Sequence, residues 1–153
     1  DRLKMTNAFG SQLWNTQFAP IAQTYFTRLN QFQNDQTLFS VGERWGVLNR
    51  DGTIILPAEY DQIIMDDDHF LASKHLPGKQ WWILFDKNGK ALTTKAYEQI
   101  DKFNGTFFPV RKNGFYGGVN LYGQEIIACV FDSISGTNQN LVAVKFRCQY
   151  GIM

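Results

Sequence analysis

A mainly β fold built as a tandem array is what this sequence predicts, on three observations. Aromatic residues recur in one register, with Trp45, Trp82, Tyr116 and Tyr150 standing 37, 34 and 34 residues apart. Glycines (Gly52, Gly89, Gly123), a second aromatic column (Tyr60, Tyr97, Phe131) and isoleucines (Ile63, Ile100, Ile134) keep the same steps. Between the columns lie short β-prone runs bounded by turn residues, the pattern of several strands per unit. Units of 34 to 37 residues with three or four short strands point to an open, solenoid-like stack, with a small closed β-propeller as the alternative.

Composition narrows the function classes. A hydrophobic content of 44% and an aromatic content of 15% are those of a folding chain rather than a disordered one. The formal charge of +1 supplies no field for phosphate backbones, so nucleic acid is not an expected partner. The longest apolar run, 126–131, falls far short of the ~20 residues of a membrane-spanning helix. Cys129 and Cys148 lie in no Cys-x-x-Cys or Cys/His cluster; they read as buried thiols, or alternatively as one bridge formed in an oxidising compartment.

Two regions follow along the chain, 1–35 as an N-terminal lead-in with a helical cap and 36–153 as the array. Residues 1–17 show no period and read as irregular or partly helical. From Phe18, the positions Ile21, Ala22, Tyr25, Phe26, Leu29 and Phe32 continue at helical spacing, which predicts an amphipathic helix with Pro20 in its first turn. A rival reading makes 18–29 a worn copy of the repeat, with Phe26 in the place of Tyr60 and Leu29 in that of Ile63. Seven helical positions outweigh two repeat positions, so the helix is the expectation.

Within a unit, Trp45-Gly46-Val47-Leu48 and Trp82-Ile83-Leu84-Phe85 predict a first strand, and Arg50-Asp51-Gly52 or Lys87-Asn88-Gly89 a tight turn. A returning strand follows (54–56, 91–93, 125–127), then Tyr60-Asp61-Gln62-Ile63 and its counterparts. Aromatic and Ile three apart do not share one face of a strand, so this is a strand with a bend or a single helical turn. After a polar turn (66–68, 104–105, 136–140) comes another strand (70–73, 107–110, 141–144), closed by Lys74, Arg111 or Lys145. The three extra residues of the longer unit fit the Lys74–Gln80 turn at Pro77-Gly78.

Trp45-Gly46, Asp51-Gly52, Leu56-Pro57 and Tyr60-Asp61-Gln62-Ile63 resemble the bacterial WG repeat family, also called KWG repeats, over about residues 36–153. Later units depart from it: Ile83 replaces the Gly after Trp82, Tyr116 replaces the Trp, and only the first unit keeps the Pro. The resemblance implies a β-rich tandem array in bacterial proteins, often of the envelope or secreted, with a cytoplasmic setting left open. It carries no catalytic residues. The chain stops at Tyr150-Gly151-Ile152-Met153, inside a unit, which suggests a longer protein or a last strand that closes elsewhere; an unpaired strand there would invite association.

No residue pattern demands a chemistry. His69 and His75 lie in no hydrolase or metalloprotease motif, and no Gly-rich loop cradles phosphate. The run 66–69 lacks the spaced acids and Gly of a Ca²⁺ loop and reads as a solvated turn. An enzyme is therefore not expected, and no cofactor is expected. If Trp45, Trp82, Tyr116 and Tyr150 pack inward, strand alternation turns Arg44, Trp81, Phe115 and Gln149 outward. Trp81 and Phe115 then offer aromatic anchors for a protein partner, or a platform for a sugar ring, unless neighbouring loops or the N-terminal helix cover them. The expected function is a non-catalytic scaffold or protein-binding module, with carbohydrate binding as the alternative.

Overall fold

The computed structural model describes residues 2–7, 10–15, 26–66, 68–136 and 141–152. Among them every regular element is a β-strand, and the chain divides into two compact units, Asp1–Ile63 and Ile64–Met153. β1 (Arg2–Asn7) and β2 (Gly10–Asn15) pair as a hairpin. β3 (Arg28–Leu29), β4 (Gln36–Val41), β5 (Arg44–Asn49) and β6 (Ile54–Tyr60) form a four-stranded sheet in chain order. β7 (Gln62–Asp66), β8 (His69–Leu76) and β9 (Lys79–Asp86) form a three-stranded one. β10 (Gln99–Ile100), β11 (Phe108–Lys112), β12 (Phe115–Val119) and β13 (Glu125–Phe131) repeat the four-stranded order. β14 (Ser133–Gly136), β15 (Val142–Phe146) and β16 (Gln149–Ile152) make the last sheet of three. The sheets are small and antiparallel, and none closes into a barrel.

The aromatic-to-Ile segment is a bend between two strands. β6 ends at Tyr60 and β7 begins at Gln62; β13 ends at Phe131 and β14 begins at Ser133. The aromatic therefore belongs to one sheet and the Ile to the next. The bend residue ties itself to that next sheet, Glu98 N–H donating to Arg111 O (2.9 Å) and Asp132 N–H to Lys145 O (2.8 Å). Each full sheet is thus a short leading strand, a hairpin and a returning strand.

The N-terminal helical cap is not present where the structure describes it. The part of that helix at 18–25 lies outside the described residues. From residue 26 onward the chain is extended: Phe26 exchanges two backbone hydrogen bonds with Ser11, both 2.7 Å, and β3 pairs with β4. The irregular lead-in is also corrected, because β1 and β2 are a regular hairpin. Their bounds and register repeat those of β4 and β5 at an offset of 34 residues, Arg2 opposite Asn15 as Gln36 is opposite Asn49. Ser11 opposite Phe26 stands where Trp45 faces Tyr60. The rival reading, a worn repeat, is the one the backbone follows. Phe26 and Leu29 pack with Phe39 and Leu48 in the core of the first unit, Phe26 meeting Phe39 edge-on at 4.9 Å.

In the second unit consecutive sheets are packed face to face. Phe107 and Phe108 are adjacent and both fully buried, which a strand allows only if both its faces are covered. Phe108 joins Val110, Val119, Leu71, Trp82 and Leu84 in one cluster. Phe107 joins Ile127, Val142 and Val144 in another. The middle sheet is therefore the filling between its two neighbours.

One further expectation is corrected. The longer unit does not place its extra residues in a loop. β8 and β9 run to a pair at Leu76 and Lys79 and keep a two-residue turn, so within 74–80 the hairpin gains two pairs over β4 and β5, one residue more than the unit as a whole gains. An even extension preserves register, whereas an odd insertion into such a turn would reverse which face each side chain takes. Consequently Lys74 faces Trp81, and the residue opposite Trp82 is Ser73, as Ser40 is opposite Trp45. Only Arg111 and Lys145 lie opposite the column aromatics, over the rings of Tyr116 and Tyr150 at 5.5 Å each.

The glycine after the column aromatic has a steric cause. Trp45 and Val47 on β5 face Tyr60 and Leu56 on β6, so the returning strand carries a bulge; Tyr116 and Gly118 face Phe131 and Ile127 in the same way. The bulge pushes a carbonyl onto the glycine: a Cβ at Gly46 would lie 2.6 Å from Leu56 O, and one at Gly117 2.5 Å from Ile127 O. Ile83 occupies this position in the unit of Trp82. There the Leu84 N–H is met by the hydroxyl of Thr93 at 3.2 Å, and the returning strand survives only as bridges at Ala91 and Tyr97. Thr93→Val should therefore cost about 1–3 kcal/mol in chemical denaturation by stranding a buried N–H, while Thr93→Ser should cost much less.

Candidate functional site

The turn residues dictate where each hairpin ends. Gly42, Gly78 and the pairs Asn113-Gly114 and Arg147-Cys148 take positive φ, which closes two-residue turns between paired strands. The last pair before each turn is Val41 with Arg44, Leu76 with Lys79, Lys112 with Phe115, and Phe146 with Gln149. Each such pair carries one exposed apolar side chain: Val41 at 44%, Leu76 at 53%, Phe115 at 44% and Phe146 at 44%. Beside it stands a basic or polar one, and Arg147 adds a guanidinium 5.2 Å from the Phe146 ring. In the second unit this pattern recurs on three successive sheets.

The outward residues expected from the sequence fall on or near these tips. Arg44 is exposed and ion-pairs with Asp61. Phe115 and Gln149 are exposed tip residues. Trp81 sits further in because its hairpin is longer; it is half-buried, with Lys79 Nζ 5.6 Å from its ring centroid. Of the inward column, Trp82 is buried at 8%, Trp45 and Tyr116 are half-buried, and Tyr150 is 81% exposed, so the column is not uniformly core. Gly52, Gly89 and Gly123 all have positive φ, as their turns require. Leu76, Lys79, Lys112 and Phe146 escaped the sequence reading. Their signal is an apolar and a polar residue flanking a two-residue turn, legible only once the turn is known.

A second feature is a cleft of about 280 Å³ in the second unit, lined by Leu92, Thr94, Lys95, Tyr97, Tyr122 and Gly123–Glu125. The Tyr97 hydroxyl donates to Glu125 Oε2 at 3.4 Å. Burial first, and then the Glu125 carboxylate, push the Tyr97 phenol up to about 12, so it remains a neutral donor at physiological pH. Tyr122 stands open at the rim, 75% exposed.

Other candidate groups have structural partners. Asp68 pairs with Lys87 at 3.5 Å, and His69 Nε2 lies 3.1 Å from Leu121 O with its ring against Phe108. Asp67 lies outside the described residues. Among the described residues no group of three or more His, Cys, Asp or Glu is arranged to hold a metal ion, and no helix is long and apolar enough to cross a membrane. Cys129 and Cys148 are free. Cys129 is half-buried, its thiol pushed up by burial and by Glu125; Cys148 is exposed in its turn, contrary to a buried thiol there.

The family model for the WG containing repeat matches residues 45–67 and 116–147. These two segments match the WG repeat. Both matches begin at a column aromatic and run through the returning strand and the bend, which is the path of β5–β7 and of β12–β15. The unit of Trp82, with Ile83 for the glycine, lies outside both matched segments. No curated protein matches the chain.

Proposed function

We propose that this chain is a non-catalytic WG-repeat module that binds a protein partner in a bacterial envelope or secreted assembly, its repeats forming an open stack rather than a closed propeller. The observation that carries the reading is the repeated hairpin tip: Leu76 with Lys79, Phe115 with Lys112, and Phe146 with Arg147. Exposed aromatic and aliphatic side chains next to cations suit a partner surface that mixes apolar and acidic residues. Arg44 and Gln149 hold the equivalent tip positions on their own hairpins, and Trp81 lies opposite Lys74 with Lys79 Nζ 5.6 Å from its ring centroid.

A pull-down from envelope extract of the native bacterium tests this. The triple variant Leu76→Ala, Phe115→Ala, Phe146→Ala should keep the melting temperature within a few degrees, because all three side chains are exposed, and should lose the specific proteins that the parent retains. Retention of the same proteins by the variant would remove the tips from the reading.

Carbohydrate binding is the second reading, and the cleft supports it better than Trp81 and Phe115, which stand on different hairpins. An exposed Tyr122 ring beside Glu125, Lys95 and the Tyr97 hydroxyl offers a stacking face and hydrogen-bonding groups in a space of about 280 Å³. Glycan-array binding abolished by Tyr122→Ala would support it.

A further inference from the structure

The residue opposite each column aromatic decides what lies over its ring. Arg111 on β11 and Lys145 on β15 each place a cation 5.5 Å from the ring centroid of Tyr116 or Tyr150. Ser73 on β8 is opposite Trp82, and its hydroxyl accepts a hydrogen bond from the Gln80 amide at 3.1 Å. Ser40 on β4 is opposite Trp45 and has neither arrangement. It is 1% exposed, and its hydroxyl has no hydrogen-bond partner among the described residues. Ser40 forms part of the wall of a cleft of about 400 Å³ within the first unit, lined also by Thr27, Arg28, Gly42, Glu43 and Trp45. Arg28 on β3 is opposite Ser40, so Arg28, Ser40 and Trp45 stand in one row across three strands. The Thr27 hydroxyl is committed to the turn, accepting from the Gly42 N–H at 2.8 Å. Arg28 and Glu43 are both exposed, and neither is in an ion pair among the described residues.

We propose that this cleft binds a small zwitterion with the chemistry of a free amino acid, its cationic group over Trp45 and its carboxylate on Arg28. Among aromatic rings indole attracts cations most strongly, and Ser40 is too short to reach over the ring as Arg111 and Lys145 do in the sister sheets. An ammonium or guanidinium also brings N–H groups for the Ser40 hydroxyl, whose burial without a partner is otherwise a cost. The Glu43 carboxylate in the cleft wall complements the same charge. A bare cation would be opposed by Arg28, whereas a carboxylate matches the planar fork of its guanidinium. Arg28 and Glu43 together therefore select a ligand that carries both signs. A volume of about 400 Å³ is at the small end for ligand clefts, which suits a molecule of this size. The tips of the second unit contribute nothing to this cleft, so it stands or falls independently of the protein-partner reading.

The test is proton–nitrogen correlation NMR of the 153-residue protein, titrated with L-arginine and separately with agmatine, the same cation without the carboxylate. Arginine should give saturable shifts at the Ser40 and Gly42 amides and at the Trp45 indole N–H. Agmatine should bind about tenfold more weakly, for loss of the charge-assisted pair with Arg28. Arg28→Gln, at an exposed position, should keep the melting temperature and bring the affinity for arginine down to that for agmatine. Ser40→Lys sets a cation opposite Trp45, as Lys145 is set opposite Tyr150, and should abolish binding. If that variant does not fold, Arg28→Gln decides alone. Shifts that are absent or lie elsewhere, agmatine binding as tightly as arginine, unchanged affinity in the Arg28→Gln protein, or binding by a folded Ser40→Lys protein would overturn the proposal.

Discussion

Gly117→Val is expected to destabilise the second unit by about 3 kcal/mol or more, the upper end for an overpacked site. The new Cβ would stand 2.5 Å from Ile127 O, 2.8 Å from Cys129 Sγ and 2.9 Å from the carbonyl carbon of Ala128. Two of these three are backbone atoms of the bulge in β13, held by pairing with β12, so relief requires the returning strand to move. Ile127, which faces Gly118, would be drawn out of the cluster it forms with Phe107, Val142 and Val144. Urea unfolding followed by tryptophan fluorescence measures the change. Gly151→Val is the matched control, because the same substitution at the same repeat position meets open space. Equal losses at both sites would mean that glycine is kept for a reason other than the carbonyl.

Phe26→Ala should cost about 3–5 kcal/mol in the first unit, the range for removing a fully buried Phe. Phe26 is 1% exposed and its ring meets Phe39. Burial alone does not separate a worn repeat from a helix, since either would bury this ring. Hydrogen exchange does: the Ser11 N–H donates to the Phe26 carbonyl, so the substitution should speed exchange at Ser11, fifteen residues away in the chain. A helix over these residues would leave Ser11 unaffected.

The misreading of this stretch has a physical source. Phe18 to Phe32 shows helical spacing at seven positions, but periodicity is a local signal and pairing with β4 is not. The landmarks that identify a unit had been replaced, Ser11 standing for the tryptophan and Gln12 for the glycine, so only Phe26 and Leu29 were left to vote for the repeat. By contrast, the later units were legible because their aromatic, glycine and isoleucine columns kept one register. Those columns coincide with the cross-strand partners Trp45 and Tyr60, Trp82 and Tyr97, and Tyr116 and Phe131. The hairpin tips were hidden for a different reason. Leu76 and Phe146 belong to no column, and their exposure follows from being the last pair before a turn.

The sequence by itself determined the period, the strand-turn-strand order and the turn glycines, since each depends on residues close in the chain or repeated at a fixed step. Only the tertiary structure decided three other features: why glycine follows the tryptophan, which residue lies opposite each aromatic in the extended hairpin, and which faces are covered. A carbonyl 2.5 Å from the Cβ position of Gly117 belongs to Ile127, ten residues on, and its place is set by a bulge. Burial of Phe107 and Phe108 on opposite faces likewise depends on neighbouring sheets, a property that neither residue's own sequence neighbourhood records.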